Sequence, residues 1–137
     1  MIKITTNKSQ LDLNFIYNFL KNSYWANHRT LEQVKESIEN SLCFGMYLDE
    51  KQIGFARVLT DKVAFSYIMD VFIDPEFQGK KYGQQFMDYI YNHADLKNVR
   101  MNTLLTKDAQ EFYKKLGFVI FPTPEKFMYK LNESKND

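Results

Sequence analysis

The chain has 137 residues, 45% hydrophobic and 26% charged, with 18 basic and 17 acidic side chains. That is globular composition in one domain's length, able to bury roughly two-thirds of its unfolded surface. A net charge of +1 gives no basis for a nucleic-acid or membrane partner. The single cysteine, Cys43, excludes an internal disulfide, and His28 and His93 stand in no ligand spacing, so no metal is expected.

In chain order, residues 2–6 alternate as a first strand. Leu11, Phe15, Ile16, Phe19 and Leu20 recur at helical spacing over 11–22, with Ser9 or Asp12 as cap. Residues 23–29 break that pattern with Tyr24 and Trp25 side by side. Thr30 followed by Glu32-Gln33 starts a second helix, with Leu31, Val34 and Ile38 on its apolar stripe. Residues 42–48 and 53–59 form a hairpin, and a turn at 60–62 leads into a long strand over 63–73. Its odd positions, Val63 to Ile73, are all apolar or aromatic. Asp70, on the even face, is the anomaly.

An apolar run thus ends at Asp74-Pro75, and Gln78-Gly-Lys-Lys-Tyr-Gly83 opens directly into a helix over 82–94. A strand, a glycine loop and a helix N-terminus present unpartnered N–H groups to one point, where the helix dipole adds positive potential. That arrangement suits phosphate or another anion. Neither the dinucleotide-binding nor the P-loop spacing is present. Residues 99–105 form a further strand, and 108–116 a fourth helix ended by Gly117. Two last strands, 118–121 and 127–131, flank Pro122-Thr-Pro124. The order β-α-α-β-β-β-α-β-α-β-β describes an α/β three-layer sandwich on a mixed, mostly antiparallel sheet. Residues 1–131 read as a single domain and 132–137 as a polar tail.

Two segments on these elements carry a resemblance. Val71-Phe-Ile-Asp-Pro-Glu-Phe-Gln-Gly-Lys-Lys-Tyr-Gly83 resembles the acetyl-CoA motif Gln/Arg-x-x-Gly-x-Gly/Ala of the GCN5-related N-acetyltransferase (GNAT) superfamily. Ala109-Gln-Glu-Phe-Tyr-Lys-Lys-Leu-Gly-Phe118 resembles that family's later helix ending in Tyr-x-x-x-Gly-Phe. The element order is similar over nearly the whole chain. Two positions depart from the pattern. Lys81 replaces a usual glycine; lysine can follow a helical backbone without strain, which would leave the loop intact with one more cation near the phosphates. Thr106 replaces a common asparagine.

The resemblance implies acetyl transfer from acetyl-CoA to an amine, with no metal. It implies that Gln78, Gly79, Lys80, Lys81, Tyr82 and Gly83 hold the coenzyme A pyrophosphate. The backbone of Val71, Phe72 and Ile73 would pair with the pantetheine arm as an added strand. Tyr113 matches the general acid that protonates the leaving thiolate, against the plainer reading of an aromatic on a buried stripe. Asp70 is a candidate base for the attacking amine, or a carboxylate that only orders the sheet. Tyr24, Trp25 and Tyr67 would line the acceptor pocket, or close the core.

Near-neutral charge and the aromatic segment favour a small-molecule amine over a protein acceptor, in a cytoplasmic monomer or homodimer. The competing readings are a non-catalytic acyl-CoA-binding sensor or interaction module and, further off, a site for a different nucleotide.

Overall fold

The computed structural model describes residues 1–132, and of the polar tail at 132–137 only Asn132 lies within it. The chain divides into two compact units, Met1–Leu105 and Thr106–Asp137. In the first, β1 (Ile2–Thr5) leads through a 3-10 turn to α1 (Leu13–Lys21) and α2 (Leu31–Glu39). Then come β2 (Leu42–Leu48), β3 (Lys51–Thr60), β4 (Phe65–Ile73), α3 (Tyr82–Asn92) and β5 (Met101–Leu104). The second unit contains α4 (Gln110–Lys115).

Local chemistry fixes the helix starts. Asp12 caps α1 by accepting the Phe15 N–H, so the cap is Asp12 and not Ser9. Thr30 and Gln33 form a reciprocal capping box on α2, satisfying two otherwise unpaired donors. The α4 end is a Schellman motif: the Gly117 N–H donates to the Lys114 carbonyl and the Phe118 N–H to the Tyr113 carbonyl. Gly117 takes φ 98°, which glycine adopts without steric penalty.

Among the described residues the sheet has five strands in the order β1-β2-β3-β4-β5. All neighbours are antiparallel except β4 and β5, which the α3 crossover makes parallel. On one face Ile16 and Leu20 of α1 and Val34 of α2 pack with Cys43, Phe55 and Phe72. On the other, Phe44 meets the rings of Tyr89 and His93 from the α3 side. The first unit is therefore three layers, as the sequence predicts. Burial pushes the Cys43 thiol up to about 11, leaving it an inert core residue. No helix in the described residues is long and apolar enough to cross a membrane.

Two expectations change. In β4 the even positions Ser66, Ile68, Asp70 and Phe72 are buried, while Tyr67, Met69 and Val71 at the odd positions are half-exposed. Alternation breaks at the bulge beside Asp70: Ile68 pairs with Val58 on the α3 side of the sheet, whereas Phe72 pairs with Phe55 beneath α1 and α2 and stacks on Phe19 at 3.8 Å. The two last strands do not form. Residues 118–121 and 127–131 are irregular, with Val119, Ile120, Met128, Tyr129 and Leu131 exposed. A 3-10 turn at Pro124–Lys126 is closed instead by the rings of Phe121 and Phe127, 4.4 Å apart.

Candidate active site

Strand β4 outruns its parallel neighbour. Phe65, Ser66, Tyr67 and Ile68 pair with β5, whereas on that side the backbone from Met69 to Ile73 has no strand partner among the described residues. An edge of this kind can accept an extended, amide-bearing ligand as if it were a strand. The opening begins beside a bulge. Phe55 faces Phe72 and Arg57 faces Met69, so Ala56 stands opposite both Asp70 and Val71. Asp70 takes the left-handed conformation, φ 54°, that such a bulge needs, and aspartate tolerates it better than most residues.

Past Ile73 the chain turns. The Asp74 N–H donates to the Ile53 carbonyl, and Asp74 caps a 3-10 turn at Pro75–Phe77. Gln78 donates its side-chain amide back to the Ile73 carbonyl at 3.0 Å, which pins the loop to the strand end. Gly79 then adopts φ 80° and Lys81 φ 66°. At Gly79 an added Cβ would meet nothing, so conformation and not space favours glycine there. Lys81 is therefore not in a helical backbone. It bears the left-handed strain that a glycine would avoid. It is the N-cap of α3 and makes no side-chain cap bond. The Gln85 N–H is the first to reach back, to the Lys81 carbonyl, so Tyr82, Gly83 and Gln84 have no helical acceptor. Lys80 sits over the Phe77 ring, 5.8 Å from its centroid, and adds a cation to this donor cluster.

At the other end of the opening, Asp70 is 4% exposed and has three donors. Its Oδ1 accepts from Trp25 Nε1 at 2.9 Å, and its Oδ2 from Arg29 Nη1 at 2.7 Å and Arg57 Nε at 2.9 Å. Burial alone would raise its pKa, but the hydrogen bonds and charges of the two arginines outweigh that and hold the carboxyl below its usual range. A carboxylate so engaged accepts a further proton poorly. Trp25 is turned inward by this bond and lies against Phe19, 6.2 Å between ring centroids. Tyr24 is 57% exposed. Tyr67 lies half-buried on the side of β4 that it shares with Met69 and the facing Arg57, its pKa raised by burial first and by the Asp70 charge second.

In the second unit Thr106 Oγ1 accepts the Ala109 N–H at 3.0 Å, so this threonine organises the turn into α4. Tyr113 is half-buried between Phe112 and Phe118. Burial pushes its phenol pKa upward.

The model of the acetyltransferase (GNAT) domain family matches residues 39–120, well over half of the chain. The chain belongs to the GNAT family. An N-acetyltransferase ycf52 of Gracilaria tenuistipitata var. liui, itself uncharacterized, is 35% identical over 108 residues, covering 74% of this chain and 59% of that protein. The chloroplastic GCN5-related N-acetyltransferase 2 of Arabidopsis thaliana is 33% identical over 115 residues, covering 80% and 44%. This chain thus spans about three-fifths of the length of the curated relatives it matches first. A GNAT-family crystal structure from Xanthomonas campestris pv. campestris superposes with a TM-score of 0.92 at 35% identity, covering 96% of this chain and 94% of that one.

Of the residues that the GNAT motifs nominate, Val71 to Gly83 form one continuous stretch, from the open β4 edge to the uncapped α3 N-terminus. Arg57, and Arg29 as a partner of Asp70, were not singled out from the sequence. A signal existed. Arg57 is the lone charge within an apolar strand, and Asp70 is the anomaly in the next strand of the same meander. Two opposite charges in adjacent buried strands call for each other.

Proposed function

We propose that this chain transfers the acetyl group of acetyl-CoA to a primary amine. The observation that carries the reading is the continuity of two unpaired backbone surfaces: the β4 edge from Met69 to Ile73 and the N–H groups at the start of α3. The first fits the amides of a pantetheine arm and the second a pyrophosphate, with Lys80 as a nearby cation. Among structural neighbours, the N-acetylglutamate synthase of Neisseria gonorrhoeae, complexed with coenzyme A and N-acetyl-glutamate, shares the fold at a TM-score of 0.70 and 18% identity.

In the proposed step the amine nitrogen forms a C–N bond to the thioester carbonyl carbon, and the C–S bond breaks. Tyr113 gives its phenolic proton to the departing sulfur. A phenol is protonated at neutral pH, and burial keeps this one so by shifting its pKa upward. One proton leaves the ammonium for water before attack, and a second, lost from nitrogen as the C–N bond forms, restores the Tyr113 phenol by way of solvent. Asp70 we assign to positioning and not to the base, since its oxygens already accept three hydrogen bonds. Tyr24 and Tyr67 are the aromatic surfaces offered to the acceptor, which we take to be a small amine with an apolar part.

Incubation with acetyl-CoA and a panel of amines, following free thiol, tests the reading. Thiol release that depends on one amine and falls in Tyr113→Phe supports it. Coenzyme A binding with no turnover on any amine overturns it in favour of a non-catalytic acyl-CoA module. The engagement of Asp70 by three donors is the observation that keeps this second reading in play.

A further inference from the structure

The segment between α1 and α2 has few regular bonds of its own: the Ala26 N–H donates to Ser23 Oγ and the Arg29 N–H to the Ala26 carbonyl. Two of its side chains, Trp25 and Arg29, instead converge on the two oxygens of Asp70. Arg57 approaches the same carboxylate from β3, and its Nη1 donates to Ser41 Oγ at 3.0 Å, which in turn donates to the Ser37 carbonyl of α2. One carboxylate therefore ties the segment, the β4 bulge, β3 and the end of α2. The contacts differ in kind. Arg57 joins strand to strand and is indifferent to the segment. Arg29 is the outermost charged member, 17% exposed, and makes the only ion pair to Asp70 from the segment among the described residues. A charge-assisted bond of 2.7 Å to a buried carboxylate is the stronger of the segment's two attachments. The open edge of β4 begins at Met69, beside the residue that it holds.

We propose that the Arg29–Asp70 contact is a latch that fixes the Tyr24–Trp25 segment against the β4 bulge, making Arg29 a positioning residue for the acceptor amine. The proposal rests on reading that segment as the acceptor side of an acetyltransferase. It separates two duties of Asp70: with Arg57 it maintains the sheet, and with Arg29 it sets where the segment lies. Loss of the latch should disturb the acceptor and leave the coenzyme A stretch from Val71 to Gly83 intact.

The chain carries its own reporter. Trp25 is the single tryptophan, and its indole N–H is bonded to the same carboxylate. In the full chain, Arg29→Met should raise acrylamide quenching of Trp25 about two-fold or more while coenzyme A affinity by calorimetry stays within about two-fold. With an accepted amine, KM should rise about ten-fold and kcat should change by less than about two-fold, the pattern of lost ground-state positioning. Arg29→Lys, which keeps the charge but not the planar fork, should fall between the two. Wild-type quenching in Arg29→Met overturns the latch. So does parallel loss of coenzyme A affinity and acceptor KM, or an Arg29→Lys as impaired as Arg29→Met. If no amine is acetylated by the wild type, the acetyltransferase reading fails, while the quenching comparison still decides the latch.

Discussion

Arg57 of β3 reaches Asp70 diagonally across the ladder beside the β4 bulge, with Nε and Oδ2 2.9 Å apart and side chains 8% and 1% exposed. A buried pair of this kind contributes less by its attraction than it would cost to break, because either partner alone is a desolvated charge. Replacing Asp70 by Asn should therefore lower stability by about 3–5 kcal/mol, read as a fall in the urea midpoint. A loss under about 1 kcal/mol would mean that the carboxylate is not holding the two arginines.

The same pair sets a pH dependence. The folded pKa of Asp70 lies below the unfolded one, so its stabilisation is complete above the ordinary carboxylate pKa of about 4. It is lost as pH falls through the folded value. The difference in urea midpoint between the wild type and Asp70→Asn should stay constant from neutrality down to about pH 4 and shrink below it. A difference that already declines between pH 7 and pH 5 would contradict the depressed pKa.

Lys81 occupies φ 66° at the mouth of α3. Changing it to glycine relieves about 1–2 kcal/mol of left-handed strain and adds somewhat less in unfolded-state entropy. Lys81→Gly should raise the urea midpoint slightly and keep coenzyme A affinity, while the β-branched Lys81→Val should lower the midpoint clearly. Equal midpoints for the two variants would show that the backbone relaxes out of this conformation.

Gly45 lies beneath the phenol of Tyr47, and a Cβ there would come within 2.5 Å of the Tyr47 hydroxyl and 2.8 Å of its ring. Tyr47 belongs to the same strand and is itself buried, 4% exposed. Gly45→Ala should cost about 1–3 kcal/mol as an overpacked core. Thermal melting would check this, and an unchanged midpoint would mean that the ring swings aside freely.

Removing the Tyr113 hydroxyl should lower kcat by about 10²-fold or more if the phenol protonates the leaving sulfur. A general acid works only while protonated. The raised pKa of Tyr113 thus moves its alkaline loss of activity above the ordinary phenol value of about 10. The pH–rate profile and the Tyr113→Phe variant test this together, and full activity in the variant would remove Tyr113 from the mechanism.

By itself the sequence determined whatever depends on near neighbours. The Thr30–Gln33 capping box, the Gly117 helix stop, the β2–β3 hairpin and the strand–loop–helix around Gly79 all follow from residues within a few positions of one another. So do the two motifs that point to the GNAT family. Tertiary structure decided what depends on what lies opposite. Alternation in β4 was visible, but the bulge at Asp70 that turns Phe72 toward α1 and α2 was not, because it depends on how β3 pairs opposite. Asp70 was visible as an anomaly, but its partners lie 13 and 41 residues away, so only the folded sheet could turn a candidate base into the anchor of two arginines. Lys81 stands where the motif usually has a glycine, yet only the structure shows that it keeps the left-handed backbone a glycine would take. The apolar runs at 118–121 and 127–131 have strand composition, yet a strand exists only where a neighbour meets its backbone hydrogen bonds. Composition records a residue's preferences, and the ladder decides whether a strand forms.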